Sequence, residues 1–149
     1  MNPSLKHSRK ISPLAIVFPF AILLFGQAAD FDGRPALILK NDKVELTVLT
    51  RGAMMVNLVL RDDSEKLSPF WNAERAQRAT GSAPSRPSAS LGHFLCLDGF
   101  GAPSAEESAA GIPFHGEANR QQFEPLQESH NGASTLILRT RLPVVQEAI

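Results

Sequence analysis

The stretch Val44-Glu45-Leu46-Thr47-Val48-Leu49 decides how the rest of the chain is read. Val44, Leu46 and Val48 alternate with Glu45 and Thr47, and a period of two places the aliphatic side chains on one face of a half-buried strand. Upstream, Ala36 to Leu39 is another short apolar run, separated from the first by the turn formers Asn41-Asp42. Downstream, Arg51-Gly52 breaks the pattern, Met54 to Leu60 continues as a more uniformly apolar strand, and Arg61-Asp62-Asp63-Ser64 closes it. Leu91 to Leu97 is apolar again before the turn-rich Asp98 to Pro103. Gln121 to Glu128 and Ser134 to Leu142 bracket His130-Asn131-Gly132, and Asn-Gly between two strand-like runs is a strong hairpin signal. Leu136, Leu138 and Leu142 share one face of the last run, with Arg139 and Arg141 on the other. No repeat and no long amphipathic helix interrupts this order, so the fold class is all-β and antiparallel.

Between these runs the composition shifts. Residues 72–90 are rich in Ala, Ser, Arg, Pro and Gly, which marks a long loop. Ala73 to Ala79 has the composition for a helical turn or two. Ser104 to Gly111 is a second small-residue stretch, read here as part of the connection into Ile112-Pro113-Phe114-His115-Gly116-Glu117.

The first 28 residues read as a leader. Met1 to Lys10 is basic, Ile11 to Phe25 is apolar apart from Ser12 and two prolines, and Gly26-Gln27-Ala28 puts small residues at −3 and −1 of a cleavage after Ala28. An uncleaved membrane anchor is the rival. Its apolar run would span roughly 22 Å as a helix, against ~30 Å of hydrocarbon core. The expectation is a signal peptide over 1–28, an exported body over 29–149 (periplasmic or extracellular), and no stable membrane span after cleavage. That cleavage removes three of the 15 basic residues and none of the 15 acidic ones, leaving a net charge of −3. A mildly acidic body lacks the basic footprint that phosphate backbones require, so nucleic acid is not an expected partner. Cys96 is the one cysteine, which excludes an internal disulfide, and its place in Phe94-Leu95-Cys96-Leu97 suits a small buried hydrophobe.

Few residues carry chemistry. His93, beside an apolar run, suits a half-buried structural role, and His130, beside the Asn-Gly turn, suits a solvated one. His115 differs, because Pro113 fixes the backbone before it and Gly116 allows close approach after it. A histidine held this way suits a hydrogen bond to a sugar hydroxyl, proton transfer near neutral pH, or simple packing in a loop. Metal ligation would need His93, Asp98, His115 and Glu117 to converge by tertiary chance, so no metal is expected. Ser104 and Ser108 lie in no nucleophile elbow, and Gly99-Phe100-Gly101 lacks the third glycine of a dinucleotide loop. No cofactor is expected.

These segments, in this order, resemble the N-terminal part of the aldose 1-epimerase, or galactose mutarotase-like, proteins. Val44-Glu45-Leu46-Thr47-Val48 with Gly52-Ala53 and Leu58 is similar to the family's opening strands. His115-Gly116-Glu117-Ala118 leading to Phe123 is similar to its His-Gly loop and the aromatic that follows. The resemblance covers about Leu37 to Leu142 and implies part of an antiparallel β-sandwich that handles a monosaccharide or other sugar. It implies a substrate-binding and catalytic role for His115, and an aromatic surface at Phe123. Asn119 stands where sugar-phosphate relatives carry arginine, and Phe123 where they carry tryptophan.

The family's acid histidine and base glutamate belong to a later half of the domain. The expectation is therefore a partial, inactive mutarotase-like chain whose open sheet edges invite self-association. A carbohydrate-binding β-domain without turnover, using His115 with Phe123 or Trp71 as a stacking surface, is the alternative. A plain interaction domain with no ligand is the third.

Overall fold

The computed structural model describes residues 27–82, 91–97, 99–130 and 133–145. The apolar leader, Pro84 and Pro87, Asp98, the Asn131-Gly132 turn and residues 146–149 lie outside them. Four strands form one antiparallel meander, β1 (Gln27–Phe31), β2 (Arg34–Lys40), β3 (Val44–Leu49) and β4 (Met55–Leu60), in the order β1-β2-β3-β4. A separate antiparallel pair, β5 (Glu124–His130) and β6 (Ala133–Arg139), makes the second sheet. The described chain is thus mostly β, with antiparallel sheets and short helices, and none of those helices is long and apolar enough to cross a membrane.

Sequence chemistry accounts for each turn of the meander. Asp32 (φ 51°) and Gly33 (φ 78°) both take left-handed backbone between β1 and β2, the requirement of a tight type I′ turn, and Asp-Gly meets it at least cost. The Asp30 side chain accepts from the Gly33 N–H at 2.8 Å. Between β2 and β3, Asn41 Oδ1 accepts from the N–H groups of Lys43 and Val44 at 2.8 and 2.9 Å, the Asx geometry that makes asparagine a turn former. Gln27 and Ala28, just ahead of the expected cleavage point, are in β1, where Ala28 pairs with Leu37.

The alternation in β3 identifies the strand, but burial does not follow it to the end. Thr47, Val48 and Leu49 are all buried, although they face alternately. The strand lies between β2 and β4, and on one side Leu49 joins Phe31, Ala36, Met54, Val56 and Leu91 in the hydrophobic core. Each of these apart from Ala36 contributes about 1.5–3 kcal/mol on burial. Leu91 to Leu97 enters this core without becoming a strand. Its single bridge is a pair of 2.9 Å hydrogen bonds between the backbones of His93 and Met55. The His93 side chain is exposed, so its backbone, not its ring, is structural.

Helix α1 (Ala73–Ala79) forms where Asn72 caps it, its side chain accepting from the Arg75 N–H at 3.0 Å. Charged contacts hold it to the β1–β2 hairpin. Buried Glu74 meets Arg34 at 2.6 Å, Arg78 meets Asp32 at 3.0 Å, and the Arg75 guanidinium lies 5.0 Å from the centre of the Phe31 ring. Helix α2 (Ala105–Ala109) stands in the stretch read as loop. Ser104 and Glu107 form a reciprocal capping box at its start, which offsets the cost of so short a helix.

After β4, the Asp63 carboxylate accepts from the N–H groups of Glu65 and Leu67, at 3.0 and 3.1 Å. These bonds, helped by the charge of Lys66, hold its carboxyl below the ordinary aspartate range. Because the folded value is depressed, the contribution is complete above the unfolded value and is lost as pH falls through the folded one. Amide exchange at Glu65 and Leu67 is expected to accelerate on that acid side and to be fast at neutral pH in Asp63→Ala. Unchanged protection in the variant would remove this role.

Candidate functional site

His115 sits where two loops lock together. Its N–H donates to the Gly101 carbonyl at 2.9 Å, and the Gly101 N–H donates back to the His115 ring at Nδ1, 3.1 Å away. Both His115 (φ 64°) and Gly116 (φ 76°) have left-handed backbone, which turns the chain sharply after Pro113-Phe114. The sequence reading reserved the space at Gly116 for a ligand. The Leu97 carbonyl fills it instead, and a Cβ at 116 would lie 1.6 Å from that oxygen.

The ring is surrounded by aromatic neighbours. Phe94, Phe100 and Phe114 each meet it edge to face, with centroids 5.3, 5.7 and 4.1 Å away. Phe94 is half-buried and packs on the core, whereas Phe100 is 90% and Phe114 54% exposed. Two large apolar side chains thus stand exposed beside an imidazole.

Hydrogen bonding assigns the tautomer. An amide N–H can only donate, so Nδ1 accepts from Gly101, and the proton of the neutral ring belongs to Nε2. The Cys96 sulfur lies 3.5 Å from the same Nδ1, so its thiol also faces an acceptor. Cys96 is half-buried rather than fully enclosed, and its neighbour is a polar nitrogen. Nε2 has no partner among the described residues and is not one of the buried unpaired atoms, which leaves an N–H donor facing solvent. The arrangement can donate a hydrogen bond beside apolar rings. It offers no free lone pair on the ring.

The other expected residues stand apart. Phe123 is 2% exposed, its N–H donating to the Thr50 carbonyl at 2.8 Å, so its ring has no face open to a ligand in this structure. It is a core residue that ties the start of β5 to the β3–β4 turn. Trp71 is 70% exposed. Its carbonyl accepts from the Gly92 N–H at 2.9 Å, and among the described residues no ring contact joins it to the His115 cluster.

Glu117, the nearest carboxylate in sequence, is buried and committed. Both its oxygens accept from the Val144 N–H, at 3.0 and 3.1 Å, and Oε1 also accepts from Val145 at 3.0 Å. Asn119, buried at the end of the same loop, lies in the short helical turn Ala118–Arg120. Among the described residues no three His, Cys, Asp or Glu side chains stand together as a metal site would require. Phe100 and Phe114 are the members of the cluster that sequence reasoning passed over. Compared with known families, curated proteins and solved structures, the chain finds no match.

Proposed function

We propose that this chain is an exported, aldose 1-epimerase-like carbohydrate-handling protein whose sugar-facing surface is centred on His115. In this reading its strands correspond to the N-terminal part of a galactose mutarotase-like β-sandwich. The observation that supports it is the Nε2–H of His115, unpartnered among the described residues, on an imidazole that two exposed phenyl rings meet edge to face. A sugar presents hydroxyl oxygens around its edge and C–H bonds on its faces. A donor flanked by aromatic rings complements both. Export rests on the basic, apolar and small-residue order of the first 28 residues.

A second reading, binding without turnover, is favoured by where the proton donors and acceptors stand. Mutarotation removes a proton from the anomeric hydroxyl while another is given to the ring oxygen, so it needs a base and an acid together. With the tautomer that the Gly101 bond assigns, His115 can donate at Nε2 but cannot accept there, and Glu117 is occupied by Val144 and Val145. His115 therefore binds and polarises, and no carboxylate among the described residues stands against it.

Calorimetric titration with galactose and glucose tests the reading. Saturable binding is expected, weakened about 5- to 13-fold by His115→Ala, because losing one hydrogen-bond donor costs roughly 1–1.5 kcal/mol. Phe100→Ala with Phe114→Ala is expected to weaken it similarly while leaving the melting temperature nearly unchanged, since both rings are exposed. A folded protein that binds neither sugar would overturn the proposal. Polarimetry separates the two readings: acceleration of galactose mutarotation that His115→Ala abolishes would restore turnover.

A further inference from the structure

A second concavity lies away from the His115 cluster, at the end of the meander where three segments converge. It encloses about 520 Å³ between the β1–β2 turn, the β3–β4 turn and the segment from Asn119 to Gln122. Hydrogen bonds fix its walls: the Gly52 N–H donates to the Gln121 carbonyl at 2.8 Å, and Arg51 and Gln122 form a β-bridge. Leu49 and Met54 line its apolar side. The volume falls within the ~300–1,000 Å³ of small-molecule sites.

Its charge is lopsided. Arg34, Arg51 and Arg120 line it against a single carboxylate, Asp32. Asp32 is already paired with Arg78, and Arg34 with Glu74. That leaves the guanidinium groups of Arg51 and Arg120 with no carboxylate partner among the described residues. Their planar forks match a carboxylate in two-point geometry, which a lysine would not. Asn119 adds a second requirement. It lines the same cleft, is 4% exposed, and its Oδ1 is buried with no hydrogen-bond partner. Such an acceptor lacks a donor, and a ligand hydroxyl supplies one once the side-chain amide turns towards the cleft.

The geometry points to a binding site for a small hydroxylated carboxylate, its acid group held by Arg51 and Arg120 and a hydroxyl directed to Asn119. The inference does not rest on the carbohydrate reading, because no residue it uses touches His115. Two sources share this chemistry, a sugar acid and an open-chain hydroxy acid.

Calorimetry with galacturonate, malate and galactose at physiological ionic strength distinguishes them. At least one of the two acids is expected to bind His115→Ala, in which the proposed sugar surface is removed, 10-fold or more tightly than galactose does, and which one identifies the source. Arg51→Ala with Arg120→Ala, both at exposed positions, is expected to lower that affinity at least 10-fold with little change in melting temperature, and Arg51→Lys by less. His115→Ala is expected to leave it unchanged, which separates this site from the one proposed above. Acids that bind no better than galactose, or an affinity that survives the double substitution, would overturn the inference.

Discussion

Replacing Gly116 with alanine is expected to destabilise the protein by at least ~3 kcal/mol and to abolish whatever His115 binds. Two costs coincide at this position. The backbone is left-handed, φ 76°, which an L side chain adopts at a penalty. The added methyl would also lie 1.6 Å from the Leu97 carbonyl oxygen, a backbone atom that cannot rotate away. The two loops must therefore separate, and with them go the Gly101–His115 hydrogen bonds that set the imidazole tautomer. In a domain of this size the shift corresponds to a fall of roughly 10 °C in melting temperature. Gly99→Ala is the matched control. Its new Cβ would lie 3.5 Å from the Gly116 nitrogen, an ordinary contact, and a loss within about 1 kcal/mol is expected. Equal melting of the two variants would show that the loop contact does not hold the site.

The strands were legible because their signals are local. Val44 to Leu49 begins and ends as β3 does, and the runs around Asn41-Asp42 and Asn131-Gly132 became paired strands, although that second turn itself lies outside the described residues. β1 was missed for a specific reason. Gln27 and Ala28 had been absorbed into the cleavage motif, which hid the Asp32-Gly33 turn between two strand-length runs. Helix α2 was missed although its capping box, Ser104 with Glu107, is written in the sequence. The small residues around it carry no apolar periodicity, and without a stripe the cap was not sought. Burial was harder still. Phe123, expected to offer an aromatic surface, is buried because exposure depends on which distant segment packs over a side chain, and no local pattern encodes that.

The same limit explains what could be read of the site. His115 was found because Pro113 and Gly116 are its neighbours in sequence. Phe100 lies fifteen positions earlier, in a Gly-Phe-Gly segment that resembles any turn, and only the hydrogen bonds between Gly101 and His115 bring it to the ring. The cleft arginines are further apart, on three segments joined by the bridge between Arg51 and Gln122. Spacing along the chain reveals groups that share an element. It is silent about groups that share a loop contact.

Glu117→Gln provides the second large effect and separates a structural carboxylate from a catalytic one. The side chain is 2% exposed and accepts from two backbone N–H groups through both oxygens, fixing the segment after Leu142, itself fully buried. An amide keeps one accepting oxygen and turns an NH₂ group towards donors that have no other partner. Charge-assisted bonds become neutral ones and at least one is lost, for an expected cost of ~2–4 kcal/mol. Thermal melting is expected to shift downward by several degrees, and amide exchange at Val144 and Val145 to accelerate first, because those N–H groups lose their acceptor. A base would behave differently: the isosteric amide would leave stability nearly intact and remove only turnover. Unchanged melting with loss of a measurable mutarotation rate would thus return Glu117 to the reaction. The observed geometry predicts the opposite split, because a carboxylate that is 2% exposed and already holds two N–H groups of the fold is shielded from a substrate proton.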